Sequence, residues 1–309
     1  MSMSNQGKKW VLVGLVLAMV TSWCAAQELV PRRWSHLPIN KNFGGVGYVY
    51  TEADIYLDPV LLAEDVTMNR NSMAISYIRS FELLGKSARV DFTQAYHDVR
   101  WQGLVDGQPT TVRRNGLGDT ALRMAVNLYG APPLEGMAYK KYRESVYDCE
   151  TVVACGLAVH LPTGHYNEDR LMNIGSNRFT FRPQLGIVHQ RGPWSFETTG
   201  SLWFYSDNDD FWNGNELESD PLFAVQGHVV YTFKPGLWTS VSCGYGYGSE
   251  ATVNGIEKNN TGKNMLWAWS VGYSLTRELG VKCAYVGSET LTEHGFDSHS
   301  FAVSLSYVW

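Results

Sequence analysis

The sequence predicts an all-β fold: a transmembrane antiparallel β-barrel of about twelve strands, following a cleaved N-terminal signal peptide. Three observations predict it. From residue 42 onward, apolar and polar residues alternate with period two in runs of roughly 10 to 13, each broken by turn residues. A short apolar leader follows two lysines, and the last strand ends the chain on an aromatic residue.

In the leader, Lys8 and Lys9 form a positive n-region, 10–20 an apolar stretch, and Cys24, Ala25 and Ala26 a small-residue site before Gln27. Cleavage is expected after Ala26, leaving 27–41 as a short periplasmic segment ahead of a barrel over 42–309. The apolar run is shorter than the roughly 18 residues a membrane anchor needs. A lipoprotein site would acylate Cys24, but bulky Trp23 stands where such a site takes a small residue. No later stretch is long and apolar enough for a spanning helix, so any span must be made by strands. In lipid only helices and closed barrels satisfy every backbone donor and acceptor.

The strands are read at 42–52, 72–84, 86–98, 118–130, 150–162, 177–191, 194–206, 221–233, 237–249, 264–276, 279–289 and 298–309. In 222–233, Phe223, Val225, Val229, Tyr231 and Phe233 oppose Ala224, Gln226, His228 and Thr232. In 118–128, Leu122, Met124, Val126 and Leu128 oppose Asp119, Arg123 and Asn127. One apolar and one polar face over such a length is what a tilted spanning strand requires. Short connections at 84–86, 191–193, 234–236 and 276–279 alternate with long polar ones at 53–71, 99–117, 163–176, 207–220, 250–263 and 290–297. With both termini periplasmic, every one of these long loops falls outside, as in bacterial barrels. Two features resist. Residues 131–148 are long yet periplasmic, and the spacing of Leu134, Met137, Ala138 and Tyr142 predicts a short helix. Arg79 shares a face with Ile75, Tyr77 and Phe81, which predicts a bulge or a reversed strand polarity.

Aromatics make up 13% of the chain, with 11 Trp and 17 Tyr, which suits the girdles of a lipid-facing barrel. The formal charge of −5 offers no basic field for nucleic acid. After cleavage, Cys149, Cys155, Cys243 and Cys283 remain, with no C-x-x-C pair and no zinc or disulfide spacing. Cys155, Cys243 and Cys283 take outward positions, where a thiol serves as a small apolar group. In the final strand Phe301, Val303, Leu305, Tyr307 and terminal Trp309 alternate with Ala302, Ser304, Ser306 and Val308. Such an ending resembles the membrane-insertion signal read by the bacterial barrel-insertion machinery.

Several runs resemble the outer-membrane family named for the meta-cleavage pathway of phenol degradation. They include Gly116-Leu117-Gly118-Asp119, Leu161-Pro162-Thr163-Gly164-His165-Tyr166 and Asn173-Ile174-Gly175-Ser176-Asn177-Arg178. Others are Trp203-Phe204-Tyr205-Ser206-Asp207-Asn208-Asp209-Asp210-Phe211, Pro221-Leu222-Phe223-Ala224-Val225-Gln226-Gly227-His228 and Tyr231-Thr232-Phe233-Lys234-Pro235-Gly236-Leu237-Trp238. The resemblance covers most of the mature chain. It implies an outer-membrane barrel that transports small molecules, aromatic ones among them, and it brings no catalytic residues.

The inward phase carries Arg89, Asp91, Asp119, Arg123, Arg178, Arg182, Glu197, His228 and Lys282, the candidate lumen-lining set. Such charges either steer a solute through a polar pore or pair across a narrow lumen and fill it. Asp207-Asn208-Asp209-Asp210 offers hard oxygens for calcium but lacks the helix–loop–helix glycine spacing, so a solvated rim that meets lipopolysaccharide is expected. The glycines at 44–47 and 116–118 precede strands and offer no helix terminus to a phosphate. His189 is the outward histidine within a clear strand and has no serine motif beside it, while His97, His160, His165, His294 and His299 fall at expected loop ends. No catalytic group, metal or cofactor is therefore expected. The expected function is a passive outer-membrane channel for small solutes. The alternatives are a surface-interaction barrel with a plugged lumen, a lipid-modifying enzyme and a soluble periplasmic sandwich.

Overall fold

Because successive strand residues face opposite sides of a sheet, the alternation fixes an inner and an outer wall as soon as the sheet closes. It does close. The computed structural model describes residues 29–56, 63–105 and 107–309. In chain order its elements are β1 (Asn42–Tyr56), β2 (Ala63–Leu83), β3 (Lys86–Val105), β4 (Gln108–Leu117), β5 (Thr120–Tyr129), α1 (Gly136–Ser145), β6 (Glu150–Leu161), β7 (Thr180–Arg191) and β8 (Trp194–Tyr205). They continue with β9 (Asn208–Phe211), β10 (Asn215–Ser219), β11 (Leu222–Lys234), β12 (Leu237–Gly248), β13 (Ala251–Val253), β14 (Ile256–Glu257), β15 (Gly262–Ser274), β16 (Leu279–Thr290) and β17 (Gly295–Val308). β17 pairs antiparallel with β1 from Phe43↔Val308 to Tyr56↔Gly295, which seals the cylinder. Twelve strand positions result, with β4 and β5 sharing the edge of β3.

The wall has the polarity of a membrane barrel. Leu122, Phe179, Val229 and Leu305 are 37–43% exposed on the outside, whereas Arg123 and Arg182 are 6% and 3% exposed within. A soluble sandwich would reverse that arrangement. Trp194, Tyr231 and Phe233 pack edge to face at the end bearing the short turns, an aromatic girdle at one membrane boundary. Tyr77, Tyr307 and Trp309 gather at the same end beside the closing seam, where the Asn42 and Trp309 backbones exchange hydrogen bonds of 3.0 and 3.1 Å. This is the polarity of a closed, membrane-spanning β-barrel.

Strands extend further outward than the sequence reading allows. Loops expected at 53–71 and 99–117 are largely β1, β2, β3 and β4, and residues 57–62 lie outside the described set. The reason is a reversal of polarity. Above the hydrocarbon the outer surface meets water, so Ala53, Ile55, Val66, Met68, Val99 and Trp101 turn their apolar side chains inward into one buried cluster. A search for an apolar outward face passes over them. Loops 207–220 and 250–263 likewise contain hairpins that pair into a small sheet, β14-β13-β10-β9, around Phe211, Leu217, Ala251 and Val253. On the opposite side α1 forms where a helix is expected. Arg79 neither sits at a bulge nor reverses the strand. The β1–β2 register runs unbroken from Asn42↔Arg79 to Ile55↔Val66, and the Arg79 guanidinium donates to Asn42 Oδ1 (3.1 Å) at the short-turn rim. There a long cationic side chain reaches the headgroup region. The expected signal peptide, residues 1–26, falls outside the described residues.

Candidate functional site

The interior is built from the inward positions of every strand together with two segments that enter from opposite ends. The first is the N-terminal segment. Its described part, 29–41, belongs to the stretch expected as a short periplasmic segment, and it packs against the inner wall. Trp34 is buried among Ala125, Val152, Ala154 and Val188, and Leu29 reaches Leu266 and Ala268 deeper in the barrel. Glycines make the room. A Cβ on Gly186 would stand 2.2 Å from the Trp34 ring nitrogen, so a larger residue in β7 would displace the indole. Nearer the short-turn end the segment docks on α1. The Ile39 amide donates to the Leu134 carbonyl (3.0 Å), and the His36 ring stands edge-on to Tyr139 and Tyr142. α1 is anchored in turn by Arg143 and Tyr142, both of which donate to Glu150 at the start of β6.

The second segment is loop 163–176, held by Asp119. The Gly164 and Ser176 amides each donate to this carboxylate at 2.9 Å, and Ser176 Oγ donates at 2.6 Å. Asp119 is thus the pin of a loop. The loop turns inward, with Met172 buried in the apolar cluster of β1–β3 and Ile174 packed against it.

The other expected lumen residues fall into separate groups. Arg89, Asp91 and Arg123 come together: Arg89 Nε lies 3.2 Å from Asp91 Oδ1, and Arg123 Nη1 lies 3.0 Å from Asp91 Oδ2. Arg123 Nε also donates to Gln184 Oε1 at 2.8 Å, and its guanidinium lies 4.4 Å from the centre of the Trp34 ring. Arg178, just before β7, stands over Tyr205 at 4.4 Å and Arg182 of β7 over Trp203 at 4.2 Å, two guanidinium–aromatic pairs facing the neighbouring β8. Arg178 also donates to Ser219 Oγ (2.8 Å). Glu197 Oε2 accepts from the Arg32 amide at 2.7 Å, His228 Nδ1 lies 2.7 Å from Ser242 Oγ, and Lys282 belongs to β16 opposite Gly272 and Ser304. Charge is therefore paired locally along the wall rather than arrayed as one ring.

The residues that sequence reasoning missed are Trp34, Thr199, Gln184, Trp203 and Tyr205, which complete these groups. Trp34 carried a signal: a tryptophan in Pro31-Arg32-Arg33-Trp34, outside any strand, needs apolar cover from elsewhere. Among the histidines, His97, His160 and His299 sit within strands rather than at loop ends, and His97 Nδ1 lies 2.8 Å from Ser72 Oγ. In the run at 207–210, Asp207, Asp209 and Asp210 are exposed, as a solvated rim requires, and Asn208 turns inward. Asn208 is buried, accepts from Asn177 Nδ2 (2.8 Å) and donates to Tyr166 Oη (3.1 Å), tying β9 to loop 163–176. The last strand turns Phe301, Leu305, Tyr307 and Trp309 outward, with Val303 on the same face.

Comparison with known proteins places this architecture. An outer membrane channel of the COG4313 type from Pseudomonas putida F1 is similar over 91% of this chain and 100% of its own, with 19% identity and a TM-score of 0.74. The transport unit of the autotransporter AIDA-I from Escherichia coli is similar over 96% of this chain and 98% of its own, with 8% identity and a TM-score of 0.54. No curated protein matches the chain. The family model described as "Putative MetA-pathway of phenol degradation" matches residues 57–303, most of the chain, and the protein belongs to that family.

Proposed function

We propose that the barrel is a passive outer-membrane channel for small solutes that carry both an aromatic or apolar body and a polar group. The observation that supports this reading is the mixed chemistry of the inner wall. The interior carries guanidinium–aromatic pairs, Arg178 over Tyr205 and Arg182 over Trp203, and, on β1–β3 toward the outer end, the apolar cluster of Ile55, Met68, Val99 and Trp101. A polar wall replaces part of a solute's lost hydration, and an apolar stretch accepts its ring, so neither part crosses at full desolvation cost.

The reading is tested with purified, folded protein in planar bilayers and in liposome-swelling assays. Phenol and benzoate are expected to enter faster than a sugar of similar size. Wild-type protein that shows no openings and no swelling with any of these solutes would overturn it. One observation favours a second reading, a surface-interaction barrel with a filled lumen: the N-terminal segment and loop 163–176 both occupy the interior. The same silent recording would support that reading.

A further inference from the structure

We infer that the pocket holding Trp34 is a binding site for planar aromatic solutes bearing a hydrogen-bond donor, and that the chain's own N-terminal segment occupies it as an internal competitor. The pocket is specified on three sides. The Arg123 guanidinium covers the ring face at 4.4 Å, an arrangement that favours a π-system over a saturated ring. Thr199 Oγ1 accepts from the ring N–H at 2.8 Å, so an occupant with a donor at its edge is favoured over one without. Gly186 and Gly156 form the floor, where added Cβ atoms would come within 2.2 and 3.3 Å of the indole. The shape is that of a flat slot, and the chemistry is that of an indole or a phenol.

The present occupant is a tethered segment without regular structure, held by side-chain and backbone contacts to the wall and to α1. Residues 29–41 form no helix and, ahead of β1, no strand. Its other holds include the Arg32 amide on Glu197, the Arg32 guanidinium over Trp238, Leu29 against Leu266, the docking on α1, and the exchange of hydrogen bonds between 38–41 and Ser80 of β2. Withdrawal of the segment would leave Arg123, Thr199 and both glycines in place, because all four belong to barrel strands. A solute of the right shape would then enter a preformed site and keep the segment out. This rests on the channel reading for its role in passage, although binding itself is measured separately.

The test is calorimetric titration of the full folded chain in detergent with phenol, toluene and cyclohexanol, on wild type, Trp34→Ala and Thr199→Val. Trp34→Ala is expected to bind phenol about tenfold more tightly or better, since a linked competitor acts at an effective concentration of order millimolar. In that background phenol is expected to exceed both toluene, which lacks the donor, and cyclohexanol, which lacks the ring. Adding Thr199→Val should erase the preference over toluene. If Trp34→Ala fails the heat-modifiability test for folding, Trp34→Leu removes the indole while keeping apolar cover, with the same expectation. No gain in affinity on removing Trp34, or equal binding of the three probes, would overturn the inference. Bilayer conductance of the same samples separates the two claims. Conductance without selective phenol binding sinks the pocket and leaves the channel. Selective binding in a silent barrel sinks the channel and leaves the pocket.

Discussion

Asp91 stands between two guanidinium groups inside the wall, 3.2 Å from Arg89 and 3.0 Å from Arg123, with Arg123 only 6% exposed. Removing the carboxylate would leave two buried like charges facing each other, which costs far more than the ion pair contributes. Asp91→Leu is therefore expected to lose about 3–5 kcal/mol of folding stability, read as the shift in the urea midpoint of vesicle-inserted protein. Adding Arg123→Leu should restore a large part of that loss, because it removes one of the two stranded charges and with it their mutual repulsion. At this scale the sequence was partly legible. Alternation placed Arg89, Asp91 and Arg123 on one face, but it could not show that Asp91 serves both arginines, since Arg123 sits on a different strand. Asp119 was legible as polar and not as a pin, because its partners Gly164 and Ser176 lie 45 and 57 residues along the chain.

Elements add what residues cannot, namely the contact between the N-terminal segment and α1. His36 bridges them, with Nε2 2.8 Å from the Pro132 carbonyl and Nδ1 buried without a hydrogen-bond partner among the described residues. Burial holds its pKa below the usual 6.5. The Pro132 carbonyl and Glu150 oppose that shift, Arg143 adds to it, and the rings of Tyr139 and Tyr142 complete the surroundings. The sign follows from the lowered value. Docking is at full strength above pH 6.5 and weakens as pH falls through the lower docked pKa, because the second ring proton would meet no acceptor. Open probability in bilayers, or exposure of the segment to protease, should therefore rise between pH 7.5 and 5. His36→Phe should flatten that dependence, and an unchanged slope in the variant would refute it. α1 itself could be read from the spacing around Leu134 and Tyr142. Its docking partner could not, since 27–41 shows no period to say which surface it covers. The outer hairpins were hidden for a different reason: their apolar faces turn inward where the surroundings change from lipid to water.

For the whole molecule, strand number, order and phase follow from one rule of alternation combined with closure, which is why the barrel is legible almost throughout. All twelve expected strands appear, each within a few residues of its expected membrane portion. The same rule makes a depth-dependent prediction that no single contact could make. Val229 faces outward near the middle of β11, and Phe233 faces outward near its short-turn end within the aromatic girdle. An arginine at the first position must cross half the apolar band before reaching water, whereas at the second it has only to extend along the rim. Val229→Arg is expected to lower stability in vesicles by about 2–4 kcal/mol and Phe233→Arg by about 0–1 kcal/mol beyond its lost ring contacts. Equal losses at the two sites would mean that the outward face does not meet a hydrocarbon slab of the assumed depth. Because neither substitution touches the inner wall, phenol entry per folded molecule should stay unchanged in both. That separates the wall that meets lipid from the wall that meets solute.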